Sequence, residues 1–356
     1  MNIHNLSIDE KIGQRFMFGV NSDNIDAIVE LVKNNYIGGV ILYKRNYKNY
    51  KEMINIIKKL KVANAKNKMP LFIAIDQEGG RVNRLPDEIH NLKNIYDTSK
   101  ADDKLDNEHA RIISYILTNS GINMNLAPVV DIYNNSRSKV LDKRCFYGDV
   151  KEVTDKAKKW LAVAKREGVI SVIKHYPGHG ATKIDSHFLI PYVFDYKGVL
   201  AKHMMPFNGI IKDECDALMV GHIIVRKLTG LVPATMNGKF LNRYLRKDGY
   251  DGLIISDEVN MLRRHLLYRF TYLNRVLASP SDIVLSKIKD YREGYRIINE
   301  YKRILIKNNK NLTGLDEHVT RILTIKEKYK VNDDTAFEGI NIDKINQEID
   351  LFNSKI

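Results

Sequence analysis

Short apolar runs alternate with longer segments of helical periodicity along most of this chain. The runs lie at 15–20, 37–43, 70–76, 122–132, 169–176, 217–223, 252–257 and 282–287. Short, almost wholly apolar runs are typical of parallel strands that are buried on both faces. Between them, segments such as "NIDAIVELVKNN" and "EVTDKAKKWLAVAKREG" carry apolar residues at about 3.6-residue spacing. Eight strands, each followed by a helix, predict an α/β fold of the (β/α)8 TIM-type barrel class.

The same pattern predicts how the chain is divided. From about residue 290 the periodicity is that of terminal helices, and the last residues are polar. No internal repeat or low-complexity linker separates a second domain. The length of 356 residues suits a barrel, a fold that routinely takes about 250 residues or more. We therefore predict a single catalytic barrel over 1–330 and a C-terminal helical tail over 331–356.

Ionisable clusters follow directly on several of the apolar runs. Examples are "DQEGGRVNR" after the third run, "KHYPGHG" at the end of the fifth and "SDEVNM" after the seventh. In an α/β barrel the C-terminal ends of all strands meet at one mouth, where active sites are built. Residues about two hundred positions apart are therefore expected to line one pocket, which favours an enzyme.

The charge and the overall polarity exclude some classes of protein. Lys and Arg number 57 against 43 Asp and Glu, a net charge of +14, but the lysines are scattered through amphipathic segments. We therefore predict no nucleic-acid partner, although the charge is compatible with an anionic substrate. No apolar run approaches the about 18 residues of a membrane span, and the first residues do not resemble a secretory signal. Two cysteines make no disulfide framework, so we expect a cytoplasmic protein.

The stretch "IKHYPGHGATKIDSH" at 173–187 gathers three histidines and an aspartate. Pro177 and Gly178 exclude a continuous helix, so His175 and His179 do not share a helical face. A metal site is one interpretation, because His and Asp are common ligands, but no His-x-His pattern on an early strand supports it. A polar surface loop is the other, and it leaves unexplained why a buried strand ends in Lys and His. We predict no metal.

The stretch also resembles the signature of the β-N-acetylhexosaminidases of glycoside hydrolase family 3. Three further segments resemble motifs of that family in the same order: "AIDQEGGRVNRL" at 74–85, "APVVDIYNNSRSKVLDKRCFYGD" at 127–149 and "DGYDGLIISDEVNM" at 248–261. Together the four segments span most of the chain. The resemblance implies a barrel hydrolase that acts on a carbohydrate and needs no metal or organic cofactor.

The resemblance implies catalytic roles for three residues. Asp257 matches the nucleophile, whose attack on the anomeric carbon gives a covalent glycosyl-enzyme and retention of configuration. The other interpretation of Asp257 is a helix N-cap after the strand. His187 matches the general acid/base and Asp185 its partner, in place of the second carboxylate that most retaining glycosidases use. A histidine near its ordinary pKa can give and take the proton, and the flanking glycines favour a mobile catalytic lid.

Five further residues match the sugar-binding positions of the family: Asp76, Arg84, Arg144, Lys174 and His175. A carboxylate accepts hydrogen bonds from sugar hydroxyls, and the cations donate to hydroxyls or to the acetamido carbonyl. For Arg144 a surface ion pair is the alternative. The function predicted is removal of terminal β-linked N-acetylglucosamine, from peptidoglycan (muropeptide) fragments in cell-wall recycling.

Some residues depart from the family pattern. Glu258 stands where an aspartate is usual, and no glycine directly precedes Asp282 of the eighth run. The segment "MLRRHLLYRF" at 261–270 replaces a small, apolar stretch; within it, Arg263 and Arg264 reach a substrate carboxylate or are simply exposed on a helix, the interpretation we favour. The alternatives are an exo-β-glycosidase or phosphorylase of other sugar specificity, and a degenerate sugar-binding protein.

Overall fold

The computed structural model describes residues 3–133, 140–182, 190–212, 215–263, 268, 271–307 and 312–356. Within these ranges, eight parallel strands form one sheet: β1 Phe16–Val20, β2 Gly39–Leu42, β3 Phe72–Ile75, β4 Met124–Asn125, β5 Ile170–Tyr176, β6 Ala217–Val220, β7 Leu253–Ser256 and β8 Val284–Ile288. Neighbours in the sheet follow chain order, and β8 pairs with β1. A bridge between Ile255 and Ile283 joins the two remaining edges. The predicted (β/α)8 barrel is confirmed.

Helices surround the strands. In chain order the α-helices are α1 Ile8–Gln14, α2 Asp26–Asn35, α3 Tyr50–Asn64, α4 Ile95–Ala101, α5 Asp103–Asn119, α6 Val150–Arg166, α7 Tyr196–Gly198, α8 Met205–Ile211, α9 Arg226–Thr229, α10 Gly238–Leu241, α11 Asn260–Arg263, α12 Tyr272–Leu277, α13 Tyr291–Lys307, α14 Leu312–Lys328 and α15 Ile342–Asn353. A short parallel pair, Tyr192–Val193 with Ile224–Val225, lies outside the barrel sheet. No helix of the described residues is both long and apolar enough to cross a membrane.

Seven of the eight predicted apolar runs contain one barrel strand each, and β8 extends one residue beyond the eighth run, to Ile288; each strand is shorter than its run. The clearest case is the run 122–132, of which only Met124–Asn125 is regular strand. Pro128 lacks the N–H that a continuing ladder requires. The chain nevertheless stays beside β5, because Val129 forms a bridge to Lys174 and the Val130 amide donates to the Lys174 carbonyl at 3.1 Å.

Helix α14 closes the N-terminal end of the barrel. Its Ile322 and Ile325 belong to the apolar cluster that fills the inside of the sheet. The ammonium of Lys326 donates to the side-chain oxygen of Gln14 at 2.6 Å and to the Gly38 carbonyl at 3.2 Å. Burial lowers the pKa of Lys326 to about 7. This end of the barrel is a packed plug, so a ligand has to enter from the opposite end.

Asp282 belongs to that closed end and not to the mouth. It precedes β8, and its buried carboxylate accepts hydrogen bonds from His318 at 2.9 Å, Arg321 at 3.1 Å and Arg246. Burial alone would raise the pKa of Asp282, but these partners hold it below its usual range. The departure from the family pattern at this position, where no glycine precedes Asp282, therefore lies beside an ion-pair network that joins α14 to the sheet.

The tail after α14 packs on the barrel. Residues 331–341 carry no regular structure, and α15 follows them. Ile345, Ile349 and Phe352 of α15 are buried in the largest apolar cluster of the described residues. Burial of each of these side chains stabilises the folded protein by about 1.5–3 kcal/mol. The division of the chain into 1–330 and 331–356 stays a prediction.

Candidate active site

The C-terminal ends of the strands open into a cavity of about 970 Å³. This is near the upper end of the roughly 300–1,000 Å³ that small-molecule sites occupy. Its walls contain all the predicted site residues that lie within the described part of the chain: Asp76, Arg84, Arg144, Lys174, His175 and Asp257. These residues come from four different strand ends, those of β3, β4, β5 and β7, as expected for a barrel mouth.

The predicted acid/base His187 and its partner Asp185 fall within 183–189, outside the described residues. The segment that leads toward them is described as far as Thr182. There His179 lines the cavity, and its Nδ1 lies 2.8 Å from the Thr182 hydroxyl. The roles of His187 and Asp185, and the lid, stay predictions.

Glu78 holds two of the predicted sugar-binding cations in place. Its carboxylate accepts hydrogen bonds from Arg144 at 2.7 and 2.8 Å and lies 2.7 Å from the Lys174 ammonium. Lys174 also donates to Asp76 at 2.7 Å. Burial alone would raise the pKa of Glu78, but Arg144 and Lys174 hold it far below its usual range. Glu78 is 3% exposed and Asp76 is 20% exposed, so Asp76 is the acceptor of this group that a ligand reaches.

The backbone around Glu78 depends on two glycines. Gly79 and Gly80 have φ of 81° and 57°, in the left-handed region that favours glycine. A Cβ on Gly80 would stand 2.6 Å from the Cβ of Asn94, closer than carbon atoms pack. The Glu78 amide donates to the Val82 carbonyl at 3.0 Å, which closes the turn. The glycine pair thus allows a tight turn that points Glu78 into the barrel mouth.

A buried aspartate orients His175. The Asp131 carboxylate accepts hydrogen bonds from the His175 ring Nδ1 at 2.9 Å and from the backbone amides of His175 and His179 at 3.1 and 2.6 Å. With Nδ1–H donated to Asp131, the Nε2 of His175 is left for a ligand, a tautomer inferred from the bonding. Burial and the neighbouring His175 lower the pKa of His179 to about 4, so that its ring is neutral at neutral pH.

Asp257 lies directly after β7, between the ends of β6 and β8. Its amide donates to the Val220 carbonyl at 3.0 Å, and one of its carboxylate oxygens accepts the Glu258 amide at 2.7 Å. The side chain lines the cavity. The amide of Asn260, at the start of α11, donates to the Glu258 side chain at 2.9 Å and not to Asp257. The N-cap interpretation therefore suits Glu258 better than Asp257.

Glu258 joins the end of β7 to that of β8. Besides Asn260, its side chain accepts the Lys287 amide at 3.1 Å. Its backbone carbonyl lies 2.9 Å from the ring Nε2 of buried His222, whose Nδ1 lies 2.7 Å from the Thr235 hydroxyl. Burial raises the pKa of Glu258, with the Lys287 and Asn260 amides opposing this. Glu258, which departs from the family pattern, therefore accepts hydrogen bonds from the backbone that follows β7 and from that of β8.

Sequence reasoning missed Glu78 and Asp131 as functional residues. Both lie inside the quoted motifs, in "DQEGGRVNR" and "APVVDI", and an acidic residue at the end of an apolar run was the available signal. Their partners Arg144, Lys174 and His175 come from other strand ends, so the pairing appears only in the fold.

Comparison with known proteins assigns the family. The model described as "Glycosyl hydrolase family 3 N terminal domain" matches residues 7–325. The chain belongs to glycosyl hydrolase family 3. The match includes every predicted site residue and ends before the tail.

Relatives in the family are named as hexosaminidases. Beta-hexosaminidase A of Pseudoalteromonas piscicida is 33% identical over 253 residues, which are 65% of this chain and 42% of that protein. Beta-hexosaminidase of Alkalilimnicola ehrlichii is 30% identical over 234 residues, 63% of this chain and 66% of that protein. The chain therefore spans less than two thirds of these two relatives.

Solved structures share the fold over nearly the whole chain. A family 3 beta-N-acetylglucosaminidase from Paenibacillus sp. str. FPU-7 superimposes with a TM-score of 0.88 at 26% identity, covering 98% of this chain and 69% of that one. LpqI of M tuberculosis superimposes with a TM-score of 0.79 at 25% identity, covering 90% and 94%. Among the described residues of the present chain, no group of three or more His, Cys, Asp or Glu is arranged to hold a metal ion. That neither metal nor cofactor is needed stays a prediction.

Glu78→Ala should destabilise the protein strongly, because Arg144 loses its carboxylate and Lys174 keeps only Asp76. Removing one partner from a buried ion pair costs about 3–5 kcal/mol, and we expect urea denaturation to show a loss of this size. The control is Asp26→Ala, which breaks the exposed pair with Lys59 and should cost less than about 1 kcal/mol. Similar small losses in both variants would contradict the role of Glu78.

Proposed function

We propose that this chain is a retaining exo-β-N-acetylglucosaminidase that forms a covalent glycosyl-enzyme on Asp257. The observation that carries the proposal is that Asp257 shares one cavity with Asp76, Lys174, Arg144 and His175 in a family 3 barrel. The names of the hexosaminidase relatives and of the Paenibacillus enzyme support N-acetylglucosamine as the sugar. The cytoplasmic location stays a prediction.

The proposed reaction has two steps. In the first, a carboxylate oxygen of Asp257 forms a bond to the anomeric carbon while the bond to the leaving oxygen breaks, and His187 gives that oxygen a proton. In the second, water attacks the anomeric carbon, His187 takes the proton of the water and Asp257 is released. Asp185 orients the His187 ring. Two inversions at one carbon retain the configuration.

The other predicted residues bind the sugar. Asp76 accepts hydrogen bonds from hydroxyl groups, while Lys174 and Arg144, held by Glu78, donate to hydroxyl or acetamido oxygens. The Arg84 side chain reaches the cavity from a backbone whose carbonyl accepts the Tyr47 hydroxyl at 2.7 Å. Preorganised donors of this kind need no rearrangement when the sugar binds.

A covalent intermediate is favoured over assistance by the acetamido group of the substrate. Substrate-assisted glycosidases commonly use two neighbouring acidic residues, and "SDE" offers such a pair. The side chain of Glu258, however, already accepts the backbone amides of Asn260 and Lys287. Asp257, and not Glu258, matches the nucleophile position of the family, so we assign the attack to Asp257.

Asp257→Ala should abolish turnover of 4-nitrophenyl N-acetyl-β-glucosaminide without unfolding the protein, because attack and not packing requires this carboxylate. Mass spectrometry of the wild type with a slow fluorosugar should find the label on the peptide that contains Asp257. The control, Asp251→Ala, removes an exposed carboxylate before the same strand and should stay active. Activity of Asp257→Ala within tenfold of wild type, or a label elsewhere, would refute the assignment. The same assay with added phosphate tests the phosphorylase alternative, for which turnover should rise and the sugar phosphate should be the product.

His187→Ala should lose about 10²–10⁴-fold on a disaccharide, whose departure needs a proton. The loss in the glycosylation step should be much smaller with a 4-nitrophenolate leaving group, and the covalent intermediate should accumulate because its hydrolysis lacks a base. Asp185→Ala should show the same pattern with a smaller loss. Equal losses on both substrates, with no accumulated intermediate, would mean that His187 does not transfer the proton.

A cationic rim beside the cavity supports peptidoglycan fragments as the substrate. A second hollow of about 280 Å³ shares Arg263, Lys289 and Glu293 with the main cavity, and Arg292 and Arg296 line it further. Among the described residues that line this hollow, four cations outnumber the two acids, Asp290 and Glu293. Muramic acid and its peptide carry carboxylates, so an aglycone of this kind complements the rim.

The position of Arg263 is compatible with both interpretations given above, exposure on a helix and contact with a substrate carboxylate. Its side chain is exposed and pairs with Glu293 at 2.7 Å, and it also lines both hollows. Arg264 lies outside the described residues. Arg263 therefore stands where an anionic group beyond the scissile bond would pass.

Lys289→Ala with Arg292→Ala should lower kcat/KM on N-acetylglucosaminyl-N-acetylmuramic acid by about three- to tenfold, because two exposed charges are lost. On the neutral disaccharide N,N′-diacetylchitobiose, kcat/KM should stay within about twofold. The control Lys51→Ala with Lys66→Ala removes the same charge from exposed positions that line neither hollow. Equal losses on acidic and neutral disaccharides would exclude an acidic aglycone at the rim.

A further inference from the structure

Two asparagines of the C-terminal helix α15 hold the segment 88–93. The side chain of Asn346 accepts the His90 amide at 2.8 Å and donates to the Glu88 carbonyl at 2.8 Å. The side chain of Asn353 accepts the Lys93 amide at 2.9 Å and donates to the Asn91 carbonyl at 3.0 Å. Residues seven apart lie on one face of a helix, two turns from each other. Each amide side chain therefore satisfies one donor and one acceptor of the segment, as a neighbouring strand would.

The segment 88–93 in turn holds the glycine turn of the candidate site. The Gly80 amide donates to the Leu92 carbonyl at 2.8 Å, and the Asn91 side chain donates to the Gly80 carbonyl at 2.6 Å. A Cβ on Gly79 would stand 3.1 Å from the Lys93 carbonyl oxygen. The turn is thus bonded to the segment on one side and has no space to move toward it.

A second contact runs from α15 to the same turn. The Phe352 ring lies 5.9 Å from the His109 ring, centroid to centroid. The Nε2 of His109 would lie 2.9 Å from a Cβ on Gly79. Phe352 and His109 are both buried, and burial lowers the pKa of His109 to about 4, so an uncharged ring fills this space at neutral pH.

We propose that α15 is a positioning element for the sugar-binding group, acting through Asn346 and Asn353. These residues hold the segment 88–93, the segment holds the Gly79–Gly80 turn, and the turn directs Glu78 between Arg144 and Lys174. The match to the family ends at residue 325, so this support comes from chain beyond the matched domain. The inference about sugar affinity rests on the proposed function; the inference about the turn does not.

The proposal implies a particular division of kinetic effects. Loss of α15 contacts loosens the loop 76–84, which binds the sugar in the ground state and in the transition state alike. Asp257 lies on a different strand end, after β7, and its amide donates to the Val220 carbonyl of β6. Affinity should therefore fall while the chemical step changes little.

The test compares Asn346→Ala/Asn353→Ala with Glu348→Ala in the full chain. Glu348 lies on the same helix but pairs with Arg111 of α5, so its variant weakens the helix without touching the segment 88–93. Amide hydrogen exchange of the peptide that covers 76–84 is measured by mass spectrometry. Calorimetry measures the Kd of N-acetylglucosamine, and 4-nitrophenyl N-acetyl-β-glucosaminide is used for kcat and KM.

We expect the double variant to exchange about tenfold faster over 76–84 and to bind N-acetylglucosamine about tenfold more weakly, with kcat within about twofold of wild type. Glu348→Ala should resemble the wild type in all three measurements. Unchanged exchange in the double variant, or the same change in Glu348→Ala, would overturn the positioning role. Faster exchange with unchanged affinity would overturn its effect on the sugar. A wild type without activity would refute the proposed function, and the exchange measurement would still decide the coupling.

Discussion

Two buried cations share one carboxylate at the mouth of this barrel, and that pairing organises the mouth. Arg144 and Lys174 come from different strand ends and share one partner, Glu78. Their bonds join the loops after β3 and β4 to the end of β5. These three segments of the chain are thereby held in fixed positions relative to one another. A buried charge without its partner would strongly destabilise the fold. Arrangements that separate Arg144 or Lys174 from Glu78 are therefore disfavoured. The more exposed carboxylate of Asp76 is then available to a ligand.

Buried charged groups also organise the closed end of the barrel. There a carboxylate, Asp282, has the cations Arg246 and Arg321 as partners, while the amine of Lys326 meets neutral oxygens instead. Apolar side chains from the strands fill the space between the two ends. Among the described residues, partners from several elements converge at both ends, and the mouth presents its charged groups to a large cavity.

Support for the mouth extends outward from this centre. Glu78 depends on the Gly79–Gly80 turn, and the turn contacts a segment that is held by a helix at the far end of the sequence. On the other side of the cavity, Glu258 fixes the end of β8, which leads into the cationic rim. A rigid centre flanked by charged, more exposed walls suits an enzyme that binds one sugar closely and a second group more loosely.

The barrel is predictable from the amino-acid sequence, because eight short apolar runs are best buried on both faces as parallel strands covered by helices. The positions of Asp76, Lys174, His175 and Asp257 at the mouth were predictable too, since each lies within the last three residues of such a run. Three features become visible only in the folded chain: the pairing of Glu78 with Arg144, the orientation of His175 by Asp131 and the support by α15. Those contacts join residues 44 to 262 positions apart, and no local pattern in a sequence specifies which distant groups meet. Chain position predicts where a strand ends, whereas the partners of its last residues depend on the register and twist of the neighbouring strands.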